Sequence, residues 1–362
     1  MITSSGHFKI VEGVFYYPKN ISDNWILQDP IRDLLNRYCP NISFHKQLLI
    51  VFANGIPKFA LQNLLDKNTY KKILLINCGE NVYVKDKFIS YVYNGLNRLG
   101  LPRKVNDALT LNYFISRLLA LETPIQKNSF FRHLTETDSR YNYWLTNDLV
   151  NGRDNLFFTP YFYVFCRQLI PSLSAPTQSP PAAGKKFCAF IVSNAANIDR
   201  VTFFKKLSRY KRIDSFGKVL NNAKLATTPG EHYLNVLRSN HLLYKKYKFV
   251  ISFENSYAQG YVTEKLVNAL AGGSIPIYRG ADDVGKYFNL NRIIDYNHYG
   301  RCYDKMIDKI VELDKDDDKY HQFVGQPCFP DDRLPPGYEE FDQRLITFLE
   351  KKLNITCAVL KK

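Results

Sequence analysis

No stretch of this chain approaches the roughly 18 consecutive apolar residues of a membrane-spanning helix, and the opening MITSSGHFKIVEG holds no apolar signal segment. The expectation is a soluble chain in the reducing cytoplasm, with membrane contact at most peripheral. Paired cysteines are missing too. The seven present (Cys39, Cys78, Cys166, Cys188, Cys302, Cys328, Cys357) form no Cys-x-x-Cys pair and are odd in number, which argues against a zinc site and against a disulfide framework. There is no internal repeat, no nucleic-acid motif and no clustered aromatic-basic platform, so nucleic acid is not an expected partner. The acids of LDKDDDK, Leu313 to Lys319, follow a helical pattern rather than a buried strand. They read as solvated surface, and no metal site is expected.

What is present is enough for two ordinary domains: 362 residues, 45% of them hydrophobic. The formal net charge of +15, from 49 Lys and Arg against 34 Asp and Glu, favours anionic partners such as nucleotides.

Short apolar runs alternate with helical patterns along the first half of the chain. His7 to Tyr17, Gln47 to Ala53 and Lys72 to Asn77 read as strands, with helices near Trp25 to Arg37 and Phe59 to Leu65. Such alternation implies a parallel sheet in a Rossmann-like layer. The strand at Ile73 to Asn77 runs into Cys78-Gly79-Glu80-Asn81, which puts a carboxylate just past the end of a buried strand. Residues 84–140 look like an insertion with its own helices, notably Leu109 to Leu121. They bring a second acid, Glu136, immediately before another strand pattern at Asn142 to Leu145. Asn155 to Phe165 reads as a strand-rich aromatic stretch. Pro171 to Lys186, with four prolines among small polar residues, reads as an extended linker. The expected division is an N-terminal domain over 1–170, the linker over 171–186, a second Rossmann-like domain over 187–345 and a C-terminal helix and tail over 346–362.

The second domain is organised around Lys248 to Gly280. A buried strand ends at Phe253. After a polar turn, Val262, Leu266, Val267 and Leu270 fall at helical spacing, and Gly272-Gly273 stops the helix before a strand at Ser274 to Tyr278. Ligands of open parallel sheets bind at the carboxyl ends of strands, where helix N-termini favour phosphate. The polar residues of this unit cluster at that end.

FENSYAQGYVTEK, read with KFCAFIVSNAANIDRVTFFKKLSRYKRIDSFGK from Lys186 to Lys218, resembles the alpha-1,3/4-fucosyltransferases. The likeness is close over Lys186 to Phe288 and patchy upstream. It implies an α/β chain of two facing Rossmann-like domains, the GT-B arrangement. The implied activity is inverting transfer of fucose from GDP-fucose to a hydroxyl of an oligosaccharide or glycoconjugate acceptor, with an alpha-1,3 linkage. No cofactor is required on this reading, and a divalent metal is at most stimulatory. Carried over, the catalytic base is Glu80, with Glu136 its rival. The donor-binding residues are Asn194, Arg200, Glu254, Asn255, Tyr261, Glu264 and Lys265. The chain departs from the family at the 84–140 insertion and at Leu225, where a tyrosine is expected. A GT-B transferase using another nucleotide sugar, or a sugar-binding module without catalysis, is the alternative.

Overall fold

The structure is a computed structural model that describes residues 2–5, 8–11, 48–52, 72–77, 143–146, 156–158, 160–174, 184–192, 197–224, 240–255 and 260–353. The helices expected before residue 143 lie outside these residues. The strands do not: β1 (Ile2–Ser5), β2 (Phe8–Val11), β3 (Leu48–Phe52), β4 (Lys72–Asn77), β5 (Tyr143–Thr146) and β6 (Leu156–Phe158) form one six-stranded sheet in that order. Only the β1–β2 pair is antiparallel. The insertion therefore separates two strands, β4 and β5, that pair directly, with Leu75 opposite Trp144.

The second sheet is wholly parallel. Its strands are β7 (Lys186–Phe190), β8 (Ile213–Ser215), β9 (Tyr247–Phe253), β10 (Ile275–Arg279) and β11 (Ile294–Asp295), in the order β11-β10-β9-β7-β8. The chain moves outward one way from β7 to β8 and the other way from β9 to β11, so the strand order reverses between β7 and β9. The carboxyl ends at such a reversal flank the crevice in which open α/β sheets bind ligands.

Seven helices join these strands among the described residues: α1 (Tyr161–Phe165), α2 (Ile198–Leu207), α3 (Asn240–Tyr244), α4 (Glu264–Ala271), α5 (Tyr303–Lys315), α6 (Asp317–Val324) and α7 (Phe341–Leu353). Phe203 and Leu207 of α2, Met306 and Ile310 of α5, and Tyr320 and Val324 of α6 bury themselves with Phe190, Phe249 and Ile277 of the sheet. Leu266, Val267 and Leu270 of α4 belong to a second core with Phe162, Phe288, Phe329, Phe341 and Leu345. Helix α4 ends where Gly273 turns left-handed at φ 63°, a conformation that costs a Cβ-bearing residue about 1 kcal/mol or more.

Three local readings are corrected by the structure. Tyr161 to Phe165 is helical, not extended, because Pro160 fixes the preceding turn and four of the five helical residues bury their side chains. Pro171–Leu173 is a 3-10 turn with Leu173 buried in the second core, so the packed structure reaches into the proline-rich stretch. Leu290–Arg292 is another 3-10 turn, followed by the short strand Ile294–Asp295. In the LDKDDDK run, Asp314 is not solvated. Its side chain is 3% exposed and accepts from Tyr210 Oη at 3.0 Å and Lys211 Nζ at 2.9 Å.

Candidate active site

Two helix N-termini follow the two strands that border the crevice, α2 after β7 and α4 after β9. Each is capped by a side chain of the expected type. Asn197 caps α2, accepting from Asp199 N at 3.1 Å, and Thr263 caps α4, accepting from Lys265 N at 3.4 Å. Asn197 also donates through Nδ2 to the carbonyl of Glu254 at 2.9 Å. The end of β9 is thus fastened to the start of α2.

Arg200 is fastened the same way. It is 2% exposed, and its Nε and Nη2 donate to the carbonyl of Phe253 at 3.0 and 2.7 Å. The guanidinium sits at the carboxyl end of β9, with two of its nitrogens turned to the backbone.

Glu254 lies deeper still, with no exposed surface. Its Oε1 accepts from Thr263 N at 2.8 Å, its Oε2 accepts from Thr263 Oγ1 at 2.6 Å, and Lys265 Nζ lies 3.5 Å from Oε2. Burial raises its pKa, against the opposing pull of Lys265 and the Thr263 bonds. A carboxylate so enclosed cannot reach a ligand in the crevice; its contacts fix the cap of α4 and the root of Lys265. Gly280 shares this tight space. A Cβ there would lie 2.6 Å from Glu254 Cγ and closer still to Tyr278 Oη.

Lys265 is 20% exposed, and its ammonium also lies 3.1 Å from Glu264 Oε1 and 3.2 Å from Thr263 Oγ1. Glu264 is 32% exposed. Burial pushes its carboxyl up, but Lys265 and neighbouring donors outweigh this and hold it below the ordinary value. It stays an ionised acceptor at the mouth of the crevice. Tyr261 is fully buried, its ring 6.4 Å from that of Tyr161. Asn255 is half-buried, with its carbonyl 3.5 Å from Asn197 Nδ2.

The structure therefore brings together Arg200, Glu254, Asn255, Tyr261, Glu264 and Lys265. Asn194, Glu80 and Glu136 lie outside the described residues. Glu80 follows the carboxyl end of β4 by three residues, and Glu136 precedes β5 by seven.

Other members were not picked out by sequence. Asn197 sat unremarked in the NAAN run, where an Asn before a helix is itself a cap signal. Asp199, Arg279 and Tyr303 form a second fastening. Arg279 Nη1 lies 2.8 Å from Asp199 Oδ1, Tyr303 Oη donates to the same oxygen at 2.9 Å, and the guanidinium lies over the Tyr296 ring at 4.2 Å. Their spacing of about 80 and 24 residues leaves no local signal. Tyr161 arrives from before the proline-rich stretch and has Glu264 among the groups that raise its pKa, after burial.

Two helix N-termini and a lysine at one carboxyl edge suit an anion, and phosphate in particular. Among the described residues, no group of three or more His, Cys, Asp or Glu side chains could hold a metal ion. No helix among them is long and apolar enough to cross a membrane.

Residues 182–325 match the family model described as glycosyltransferase family 10 (fucosyltransferase) C-term. A putative fucosyltransferase R654 of Acanthamoeba polyphaga mimivirus is 30% identical over 175 residues, covering 48% of this chain and 28% of the relative. GDP-fucose protein O-fucosyltransferase 3 of Xenopus laevis is 33% identical over 128 residues, 35% of this chain and 27% of the relative. Alpha-(1,3)-fucosyltransferase FucT of Helicobacter pylori is 32% identical over 127 residues, 35% of this chain and 24% of the relative. The chain thus spans about a quarter of the length of these relatives. A crystal structure of an alpha1,3-fucosyltransferase superposes with a TM-score of 0.57 at 17% identity, covering 91% of this chain and 88% of the other. One with GDP superposes at 0.55 and 17% identity, covering 94% of each. The two-sheet α/β architecture is the GT-B fold of those enzymes. Over residues 182–325 the chain is thus similar to the C-terminal domain of glycosyltransferase family 10, the fucosyltransferases.

Proposed function

We propose that this protein transfers fucose from GDP-fucose to a hydroxyl of a glycan acceptor, with inversion at the anomeric carbon and an alpha-1,3 linkage. The observation that carries the reading is the pair β9 and α4, within which the FENS-x(3)-GYVTEK sequence begins and ends. It places Lys265 on the first turn of α4 at the carboxyl edge of β9, beside the start of α2. As the bond between fucose C1 and the GDP oxygen breaks, negative charge grows on the pyrophosphate. A fixed ammonium and two helix N-termini stabilise that charge more in the transition state than in the ground state.

Glu264, kept ionised by Lys265, accepts from donor hydroxyls. Arg200 and Asn197 hold the end of β9 so that Asn255 keeps its place at the crevice, while Tyr261 is fully buried, its ring against that of Tyr161. Glu80, beyond β4 of the facing sheet, takes the proton from the acceptor hydroxyl as it attacks the opposite face of the sugar; Glu136 is the other candidate for that role. Lys265 and the helix ends carry the charge that a divalent metal would neutralise, so an added metal is at most stimulatory. The setting proposed is the cytoplasm, with membrane contact no more than peripheral.

The test is GDP release from GDP-fucose, GDP-mannose and UDP-galactose with N-acetyllactosamine as acceptor, using wild type, Glu80→Ala and Glu136→Ala. Turnover of GDP-fucose alone, abolished in Glu80→Ala and kept in Glu136→Ala, is the expected result. Turnover of another donor would overturn the reading. So would donor binding that no acceptor converts to product.

A further inference from the structure

The fastening made by Asp199, Arg279 and Tyr303 joins three elements at the carboxyl edge: the first turn of α2, the end of β10 and the start of α5. The guanidinium of Arg279 is pinned from three sides. It lies 2.8 Å from Asp199 Oδ1, donates to Tyr303 Oη and stacks over the Tyr296 ring at 4.2 Å. Asp199 is held independently, because Tyr303 Oη donates to the same Oδ1 at 2.9 Å. The main chain is tied in as well: the carbonyl of Arg279 accepts from Glu254 N at 2.8 Å. Neither charge is sealed off, since the side chains of Asp199 and Arg279 are 26% and 19% exposed. A carboxylate in the first turn of a helix complements the helix dipole. The N-terminus of α2, however, is one of the two that favour the phosphates of the donor. Asp199 therefore places a negative charge in the very turn that has to meet another.

We propose that Arg279 is a positioning residue for the donor that acts through Asp199: it cancels that carboxylate, so that the start of α2 accepts the pyrophosphate of a nucleoside diphosphate sugar. The inference rests on the donor-binding reading above. An arginine suits the task, because its guanidinium is charged at any working pH and its planar face stacks on an aromatic ring, here that of Tyr296. The Tyr303 bond sharpens the consequence. It keeps the Asp199 carboxylate in place when Arg279 is removed, so the charge cannot swing away from an incoming phosphate. Like charges brought together in a partly desolvated site repel by several times the thermal energy. A purely structural tie would be broken equally by losing either of its charged members. Charge cancellation predicts opposite effects from the two ends, with loss of Arg279 harming phosphate binding and loss of the Asp199 charge sparing it.

The experiment is calorimetric titration of the full chain with GDP at low ionic strength, with guanosine binding followed by saturation-transfer NMR. The proteins are wild type, Arg279→Met, Asp199→Asn and the double variant carrying both changes. Arg279→Met is expected to weaken GDP binding about ten-fold or more, as like-charge juxtaposition does. Asp199→Asn is expected to bind GDP as tightly as wild type or more tightly, and to recover most of the Arg279→Met loss in the double variant. Guanosine, which lacks the phosphates, should bind all four proteins alike. Should Arg279→Met not fold, Asp199→Asn alone decides. GDP binding weakened in Asp199→Asn would overturn the proposal and leave the contact a structural tie. So would a double variant no better than Arg279→Met, or guanosine binding lost in step with GDP. Absence of GDP binding in wild type would overturn the donor reading and this proposal with it. GDP bound in the predicted order without fucose transfer would support the proposal and count against the enzymatic reading alone.

Discussion

Removing the Glu254 carboxylate should cost stability and donor affinity together, because one buried group serves both. In Glu254→Ala, Thr263 N and Thr263 Oγ1 lose acceptors at 2.8 and 2.6 Å in a place where Glu254 itself has no exposed surface. Each orphaned buried donor costs about 1–3 kcal/mol, and the methylenes lost leave a small void on top. A fall of about 3–5 kcal/mol in unfolding free energy follows. Glu254→Gln retains one acceptor and should cost only about 1–2 kcal/mol. The cap of α4 and the root of Lys265 loosen in both, so GDP affinity should drop by more in Ala than in Gln. Urea unfolding followed by circular dichroism, with calorimetric GDP titration of the folded fraction, reads both quantities. A Glu254→Ala protein with a wild-type midpoint would refute the reasoning. So would one that is destabilised but binds GDP normally.

Lys265→Ala should weaken GDP binding about 10- to 100-fold, the range for a charge-assisted bond of about 1.5–3 kcal/mol, and also lower the unfolding free energy, because the buried Glu254 carboxylate loses the cation 3.5 Å from it; calorimetry and urea melts check the two halves. Burial raises the Asp295 carboxyl to about 6, against the partial offset of the His298 and Asn297 backbone bonds. A raised folded pKa means that its contribution is fully present below the unfolded value near 4 and is lost as pH rises through about 6. Wild type should therefore fall behind Asp295→Asn by about 3 kcal/mol between pH 4 and 7, as urea melts across that range would show. Arg292 has no exposed surface and no hydrogen-bond partner for any guanidinium nitrogen, and burial lowers its pKa. Arg292→Met should stabilise the fold by about 1–4 kcal/mol, and a loss of stability in that variant would refute the point.

The unit from β9 to β10 was legible in sequence because each of its signals is local. Phe249, Val250, Ile251 and Phe253 make a continuous apolar strand, Thr263 is a cap residue three positions before Leu266, and Gly273 takes the left-handed turn. The residues gathered there were legible for the same reason. What each one does was not, since exposure is a tertiary property. Glu254 and Lys265 lie eleven positions apart on one polar stretch, yet one is sealed beneath a threonine cap and the other reaches the crevice. The aromatic run Tyr161 to Phe165 misled for a related reason. Its composition suits a strand, but its contacts with Tyr261, Tyr287 and Phe288 come from residues about 100 positions away.

The central claim is tested most directly by incubating the protein with GDP-fucose and N-acetyllactosamine and reading the product by proton NMR. A single new fucosyl residue, with anomeric configuration opposite to that in GDP-fucose and formed about 10- to 100-fold more slowly at low donor concentration when Lys265→Ala replaces wild type, is the predicted result. A product with the donor's own configuration would contradict the account, as would GDP and free fucose with no acceptor-linked sugar.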